Sequence, residues 1–309
     1  LLLFIPFLLE LGLKPHKKEV LENNKRIFSN KFTVTMVDVR IGLAKLGNIG
    51  TSSMIDLMLD ERAEREDIDF RVVASGPKMK KGDGEDVAKK LKDFDPDLII
   101  VGSPNPSTPG PSKARKNLEN LDIPRIIIGD APGTKITDEL EEAGFGYIFV
   151  LADAMIGARR EFLDPSEMAM FNADLLKVLS VTGALKAVQE EIDETISSLK
   201  SEDSYLPRTI VDRDTAISTA GFENPYARAK AMAAHEMASK VADLSVEGCF
   251  QVHEKEKYVP IVASAHELMR SAGKLADEAR EIEKTNDSVL RNPHADDGSL
   301  LSKRNLMEL

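Results

Sequence analysis

The stretch Leu98-Ile99-Ile100-Val101-Gly102-Ser103-Pro104-Asn105-Pro106-Ser107-Thr108-Pro109-Gly110-Pro111-Ser112-Lys113-Ala114-Arg115 decides the fold. Its first four residues are an unbroken apolar run rich in β-branched side chains, the pattern of a strand buried on both faces of a parallel sheet. The four prolines and two glycines that follow stiffen the chain and keep it from pairing as a strand. Gly110-Pro111-Ser112-Lys113-Ala114-Arg115 then opens a helix, which is expected to bring free N–H groups and two cations to its start. A rigid loop between a strand's carboxyl end and a helix N-terminus is where open α/β sheets hold ligands, anions above all. Ser103, Pro104, Asn105, Ser112 and Lys113 are therefore candidate ligand contacts.

The same alternation recurs on both sides of this stretch. Residues 37–44 read as a strand, followed by the turn Lys45-Leu46-Gly47-Asn48-Ile49-Gly50-Thr51-Ser52 and a helix to about 64. A strand over 70–74, a Gly/Lys-rich loop over 76–84 and a helix ending near 94 lead back to Leu98. Beyond a helix over 112–121 come a strand at 125–128, the loop Gly129-Asp130-Ala131-Pro132-Gly133, a helix at 136–143 and a strand at 147–150. Strands alternating with helices predict an α/β fold with a doubly wound, mostly parallel sheet.

After Asp153 the pattern becomes largely helical with a small β element. Asp164-Pro165-Ser166-Glu167 combines an acidic N-cap, proline at the first helical position and glutamate three after the cap, and the helix it starts is expected to reach about 200. A strand is expected at 208–211, a helix from Asn224-Pro225 to about 244, β-like runs on either side of Glu254-Lys255-Glu256-Lys257, and a helix over 264–284. The expected organisation is an α/β domain over 36–153 carrying Gly/Pro-rich loops, a mainly helical domain over 154–284, and a C-terminal tail over 285–309.

Composition bounds the function. The 309 residues suffice for two domains and a sizeable core, and with no tryptophan that core must be built of Leu, Ile, Val, Met and Ala. A formal net charge of −11 argues against a nucleic-acid surface and suits a cytoplasmic protein. Cys249 is the single cysteine, so an internal disulfide and any multi-cysteine metal site are excluded, and a reducing compartment is expected. The apolar run at 1–13 is broken by Pro6 and Glu10 and falls short of the ~20 apolar residues of a membrane span. It has neither a basic flank ahead of it nor a small-residue cleavage pattern. With a clean strand pattern beginning at Met36, residues 1–35 read as an upstream extension; a membrane-associating amphipathic leader is the rival reading.

Three Gly/Pro-rich loops follow three strands expected to be parallel, so they should emerge on one sheet edge and could share a crevice. Gly47-Asn48-Ile49-Gly50-Thr51 invites comparison with a dinucleotide fingerprint but has Gly-x-x-Gly spacing. Ala74-Ser75-Gly76 also stands where an acidic ribose ligand would be. The turn can still offer N–H groups and the Thr51 and Ser52 hydroxyls to a ligand, or it is simply a tight strand-to-helix turn. Asp130 can accept from a ligand or cap the turn after it. Asp153 and the pair Arg159-Arg160, with Glu161, stand where the two halves join; the arginines can clamp carboxylates or form a salt-bridge cluster. The five histidines lack metal-pair spacing, and no nucleophile elbow is present.

Taken together, Gly47-Asn48-Ile49-Gly50-Thr51-Ser52, the Pro104–Arg115 segment, Ile127-Ile128-Gly129-Asp130-Ala131-Pro132-Gly133, Gly157-Ala158-Arg159-Arg160-Glu161-Phe162-Leu163-Asp164-Pro165, Glu223-Asn224-Pro225-Tyr226 and the run from Tyr258 to Glu267 occur in an order that resembles the coenzyme F420-dependent methylenetetrahydromethanopterin dehydrogenases of methanogenic and related archaea. The resemblance extends from Met36 to the C-terminus. It implies reversible hydride transfer between coenzyme F420, a dissociable deazaflavin co-substrate, and the methenyl/methylene-tetrahydromethanopterin pair. It also implies a homohexamer built as a trimer of dimers, with no bound metal or flavin and no catalytic acid–base residue.

On that resemblance, the coenzyme's phosphate and glutamate tail is expected at Gly47, Asn48, Ile49, Gly50, Thr51 and Ser52, with Ser112, Lys113 and Arg115. Ser103, Pro104 and Asn105 complete the deazaflavin crevice. The pterin is expected against Asp130, Ala131, Pro132, Asp153, Arg159, Arg160 and Glu161. Two other classes remain open to the residues alone: an α/β oxidoreductase using a nicotinamide or flavin, and a non-catalytic α/β binding or assembly protein.

Overall fold

The computed structural model describes residues 39–59, 65–154, 164–201 and 205–308. Six parallel strands form one sheet in the order β2-β1-β3-β4-β5-β6: β1 (Val39–Lys45), β2 (Ile68–Ala74), β3 (Leu98–Gly102), β4 (Arg125–Gly129), β5 (Gly146–Val150) and β6 (Arg208–Val211). The α/β reading of the sequence therefore holds, and the isolated strand expected at 208–211 joins this sheet as its far edge. Charged residues mark both edges, Asp69 and Arg71 on β2 and Arg208 on β6, which discourages pairing with another chain.

The helices are α1 (Gly50–Leu59), α2 (Lys81–Phe94), α3 (Pro109–Leu118), α4 (Thr137–Glu142), α5 (Pro165–Thr182), α6 (Ala184–Lys200), α7 (Arg213–Ala220), α8 (Pro225–Val246) and α9 (Lys255–Thr285). Alternation along the central strands divides the core. Ile99, Val101, Ile127, Tyr147 and Phe149 face α2 and α3, packing on Val87, Leu91, Ala114 and Leu118. Leu98, Ile100, Ile126, Ile128, Ile148 and Val150 face α1 and α6, and α5, α8 and α9 join that same core. Central strands with both faces covered must be apolar throughout, which is why Leu98-Ile99-Ile100-Val101 shows no alternation.

The connections differ in hand. Those from β2 to β3, β3 to β4 and β4 to β5 run one way across the sheet over the α2–α3 face, and β1 to β2 runs the other way over the α1 face, so these four share one hand. The connection from β5 to β6 runs over the α1 face toward the opposite edge and so has the reverse hand. Strand–helix–strand crossovers are almost uniformly right-handed because the twist of one strand feeds directly into one helix. Here two helices intervene, and the coupling that fixes the hand is lost.

Two helical expectations are corrected. The helix expected to run from 165 to 200 is two helices bent by 67° at Gly183, which sits at φ 92. A Cβ there would stand 2.2 Å from the Ala216 carbonyl oxygen, so α7 packs where a side chain would be. The β-like runs around 254–257 are helical: a π turn over Glu247–Gln251 and then α9 from Lys255, with Pro260 inside it. Tyr258, Val262, Ala265, Met269, Ala272 and Ala276 are buried at three- and four-residue spacing, and this periodicity outweighs the local β-branched content. Alanines 227, 231, 234 and 238 of α8 and 265, 272, 276 and 279 of α9 are all buried in this helical layer, so small side chains supply the close helix packing that a core without tryptophan needs.

Candidate active site at the carboxyl edge of the sheet

The strand order reverses between β1 and β3: the chain leaves β1 toward α1 on one face and β3 toward α3 on the other. Diverging connections leave a crevice at that edge. Close contacts at glycines lock the surrounding loops together. Gly47, at φ 82, has space for no side chain, because a Cβ would stand 2.4 Å from Met79 Sδ and 3.0 Å from Pro104 Cδ. A Cβ on Gly129 would stand 2.9 Å from the Ser103 carbonyl oxygen, and one on Gly133 would enter the Phe149 ring. The loops after β1, β2, β3 and β4 thus pack as one unit. Met79 was not singled out in the sequence; its signal was the Gly/Lys-rich loop at 76–84, read only as a connection.

Within this unit the loop after β3 is held by its own side chains. Asn105 N–H donates to Ser103 Oγ (3.2 Å), Ser107 N–H to Asn105 Oδ1 (3.0 Å), and Thr108 Oγ1 to the Asn105 carbonyl (2.7 Å). Ser103, Pro104 and Pro106 are buried, Asn105 and Thr108 half-buried and Ser107 exposed, so Asn105 is one of the polar side chains this loop presents.

The start of α1 is closed from within. Gly50 N–H donates to Asp153 Oδ1 and Thr51 N–H to Asp153 Oδ2, both at 2.8 Å, and Ser52 Oγ donates to the Ile49 carbonyl (3.0 Å). A buried carboxylate occupies the place where the sequence put the anionic coenzyme tail. Of Gly47–Ser52, Asn48 alone is more than marginally exposed. Asp153 is fully buried; burial pushes its carboxyl up to about 6 against the pull of the Thr51 and Gly50 donors.

Asp130 follows β4 and begins the 3₁₀ turn Ala131–Ile136, where its carbonyl accepts from Gly133 N–H (2.9 Å). Its side chain makes no cap hydrogen bond there, and it is 5 % exposed with Oδ1 buried and unpartnered. Burial, and after it the charge of Asp153, raise its carboxyl well above the usual range. Asp130 is thus a buried acid, its charged form disfavoured, with unused hydrogen-bonding capacity, a group suited to meet a ligand rather than to hold the turn. Ala131 and Pro132 are half-buried beside it.

The start of α3 departs from expectation. The helix begins at Pro109 rather than Ser112, and Pro109 and Pro111 have no N–H. Gly110 N–H is spent on the Met79 carbonyl (2.9 Å), so the free donors expected for an anion are absent. Lys113 pairs with Glu85 of α2 (3.3 Å) and buried Arg115 with Glu139 of α4 (3.1 Å), so both cations are engaged between helices. Ser112 is half-buried on the same turn. Arg159, Arg160 and Glu161 lie outside the described residues. Among the described residues no three His, Cys, Asp or Glu side chains are grouped to hold a metal, and no single helix is long and apolar enough to cross a membrane.

A parallel sheet of this order, with glycine-locked loops at its reversal and an unpartnered buried acid between them, defines a doubly wound α/β protein of the class that includes coenzyme-dependent oxidoreductases. Residues 39–309 match the family model described as methylene-5,6,7,8-tetrahydromethanopterin dehydrogenase, and the chain belongs to that family. It is 58% identical over 274 residues to the F420-dependent methylenetetrahydromethanopterin dehydrogenase of Methanopyrus kandleri, spanning 85% of this chain and 96% of that protein. It is 56% identical over 270 residues to the enzyme of the same name from Archaeoglobus fulgidus, spanning 87% and 98%. A solved F420-dependent methylene-tetrahydromethanopterin dehydrogenase, in complex with methylene-tetrahydromethanopterin and coenzyme F420, superposes with a TM-score of 0.84 at 56% identity, covering 88% of this chain and 99% of that one.

Proposed function

We propose that this chain is an F420-dependent methylenetetrahydromethanopterin dehydrogenase, transferring a hydride reversibly between coenzyme F420 and the methenyl/methylene-tetrahydromethanopterin pair. The observation that carries this reading is the solved relative, 56% identical over nearly its whole length and in complex with both partners. When bound, the reduced coenzyme supplies the hydride and the methenyl carbon accepts it.

The chain's own work is positioning and the exclusion of water. The deazaflavin is assigned to the crevice of the β1, β3 and β4 loops, with Asn48 and Asn105 as contacts and the buried Ser103 and Pro104 supporting them from behind. Rigid, glycine-locked loops suit this task because a small misplacement of two facing rings costs rate steeply. Asp130, whose charged form burial disfavours, meets a polar group of a bound ligand, and the unpartnered Oδ1 supports that role. Asp153 is placed here as a positioning residue that fixes α1. Arg159, Arg160 and Glu161 complete the pterin side in this reading. Residues 36–153 carry the coenzyme loops and 154–284 the pterin-facing half.

A homohexamer, built as a trimer of dimers and working in the cytoplasm, completes the proposal. The exposed Tyr226, Phe250 and Met170 on the helical half support burial against further copies. Light scattering on the purified protein gives the mass.

The activity is tested anaerobically by mixing the protein with methylenetetrahydromethanopterin and oxidised coenzyme F420 and following loss of the deazaflavin's visible band. A parallel sample contains a nicotinamide cofactor. Bleaching with the deazaflavin alone supports the assignment, and a folded preparation that bleaches neither overturns it.

A further inference from the structure

Away from the crevice, a cavity of about 170 Å³ opens where the α5–α6 bend meets the ends of α7 and α9 and the segment after α9. Three charged side chains line it: Lys186 in the first turn of α6, Arg280 near the end of α9, and Glu283 one turn on. Glu283 is already committed, accepting Asn224 N–H at 2.8 Å on one oxygen and the Ser288 hydroxyl on the other. Lys186 reaches a carboxylate only at 3.8 Å, that of half-exposed Glu190, and no ion pair or hydrogen bond joins the Arg280 guanidinium to the described residues.

Both cations are destabilised where they stand. Burial lowers the ammonium of Lys186 and the guanidinium of Arg280 from their usual ranges, and like charges add to this: Arg304 acts on Lys186 and Arg291 on Arg280. Glu190 and Glu281 pull the other way, but Glu281 is paired with Lys284 (2.5 Å). Two further features face the same space. The first bond within α6 runs from Ala187 N–H to the Gly183 carbonyl, and Gly183, Leu185 and Lys186 line the cavity, so the opening turn of α6 borders it. Asn292 Oδ1 is buried in the cavity wall without a donor, its amide nitrogen being spent on the Leu301 carbonyl (3.1 Å).

We infer that this cavity is a binding site for a small oxyanion that carries its own hydroxyl, hydrogenphosphate being the matching chemistry. Its acceptor oxygens meet the Arg280 fork, the Lys186 ammonium and the start of α6, and its O–H satisfies Asn292 Oδ1. Guanidinium and phosphate match in geometry as well as charge, and the size of the cavity admits one such group. The site joins α5 and α6 to the chain after α9, so an occupant fastens the last part of the fold to the layer that covers the sheet. This inference does not depend on the assigned activity.

The test is thermal denaturation of the full chain in inorganic phosphate against chloride at matched ionic strength, with calorimetry for stoichiometry. The expected result is a saturable rise in Tm of about 3 °C with one phosphate bound per chain. Arg280→Ala and Lys186→Ala should each weaken phosphate binding by about tenfold or more while remaining folded in chloride, and Arg280→Lys should recover part of it. Should Arg280→Ala fail to fold, Asn292→Asp, which sets a charge against the anion, serves in its place. No difference between phosphate and chloride, or a phosphate effect undiminished in these variants, overturns the site. Phosphate that raises the coenzyme's KM in the parent but not in Arg280→Ala would identify the occupant as a phosphate borne by the coenzyme; a KM indifferent to phosphate would identify it as free phosphate.

Discussion

The carboxylate of Asp153, just beyond β5, holds the backbone N–H of Thr51, in the first turn of α1, at 2.8 Å. Its other oxygen holds Gly50, so one side chain closes a helix that begins about a hundred residues earlier in the chain. With two of its first N–H groups spent inside the protein, this helix start has fewer donors left for an outside anion.

Asp153→Asn is expected to cost about 1–3 kcal/mol at pH 7, because an amide can accept only one of the two N–H groups and sets a donor against the other. The pH dependence has a definite sign. Burial pushes the folded carboxyl from the usual 3.8 up to about 6, so its contribution to stability is full below about 4 and is lost as pH rises through 6. The loss amounts to about 3 kcal/mol. Asp130, also raised, acts in the same direction. Urea denaturation between pH 4 and 7 should show a shallower fall for Asp153→Asn than for the parent, and an unchanged slope would remove Asp153 as the cause.

Asp130→Asn keeps a hydrogen-bond donor in nearly the same shape, and Asp130→Ala removes it. If the protonated acid donates to a ligand, the amide retains kcat/KM within about threefold and the alanine loses about tenfold or more. Steady-state kinetics with each co-substrate varied in turn identifies which one meets the acid. Equal losses in both variants would mean that a carboxylate, not an acid, is required.

Gly47→Ala should disturb structure and binding together. The backbone is at φ 82 and the new methyl would stand 2.4 Å from Met79 Sδ, so the loops after β2 and β3 must separate. A destabilisation of about 1–3 kcal/mol is expected, with weaker coenzyme binding. Calorimetry and fluorescence titration of the coenzyme measure the two effects; full affinity in a folded variant would detach Gly47 from the crevice.

Lys113→Ala tests the opposite case. Its ammonium serves Glu85, and a partly exposed ion pair of this kind contributes about 0–1 kcal/mol. The coenzyme's KM should stay within about twofold of the parent value. A tenfold rise would show that the lysine leaves Glu85 for the ligand, as its position in the sequence had suggested.

What could be read from the sequence was what is local. Leu98-Ile99-Ile100-Val101 and Arg125-Ile126-Ile127-Ile128 announce buried strands by composition, and their Gly/Pro loops announce the crevice. The start of α3 was misplaced by three residues although Pro109 is itself a first-turn signal, because a second proline two residues on suggests a loop. The bend at Gly183 was equally local, but a lone glycine inside apolar periodicity does not reveal the α7 carbonyl that excludes a side chain. Other features were out of reach in principle. That Asp153 caps α1, that Met79 receives Gly110 and that β6 belongs to the first sheet are contacts between distant parts of the chain, which no window of sequence contains.

The reversed connection from β5 to β6 bears on how the chain is made. As residues through Val150 leave the ribosome, five strands can pair and α2 and α3 can cover one face, each step using chain already present. On the other face α1 stands alone over Leu98, Ile100, Ile126 and Ile128 until α5 and α6 have been synthesised. β6 cannot take its edge before that long excursion is complete. Translation therefore passes through an interval in which half of the sheet is uncovered and sticky, and a chain halted after Val150 should collect in the insoluble fraction or on chaperones.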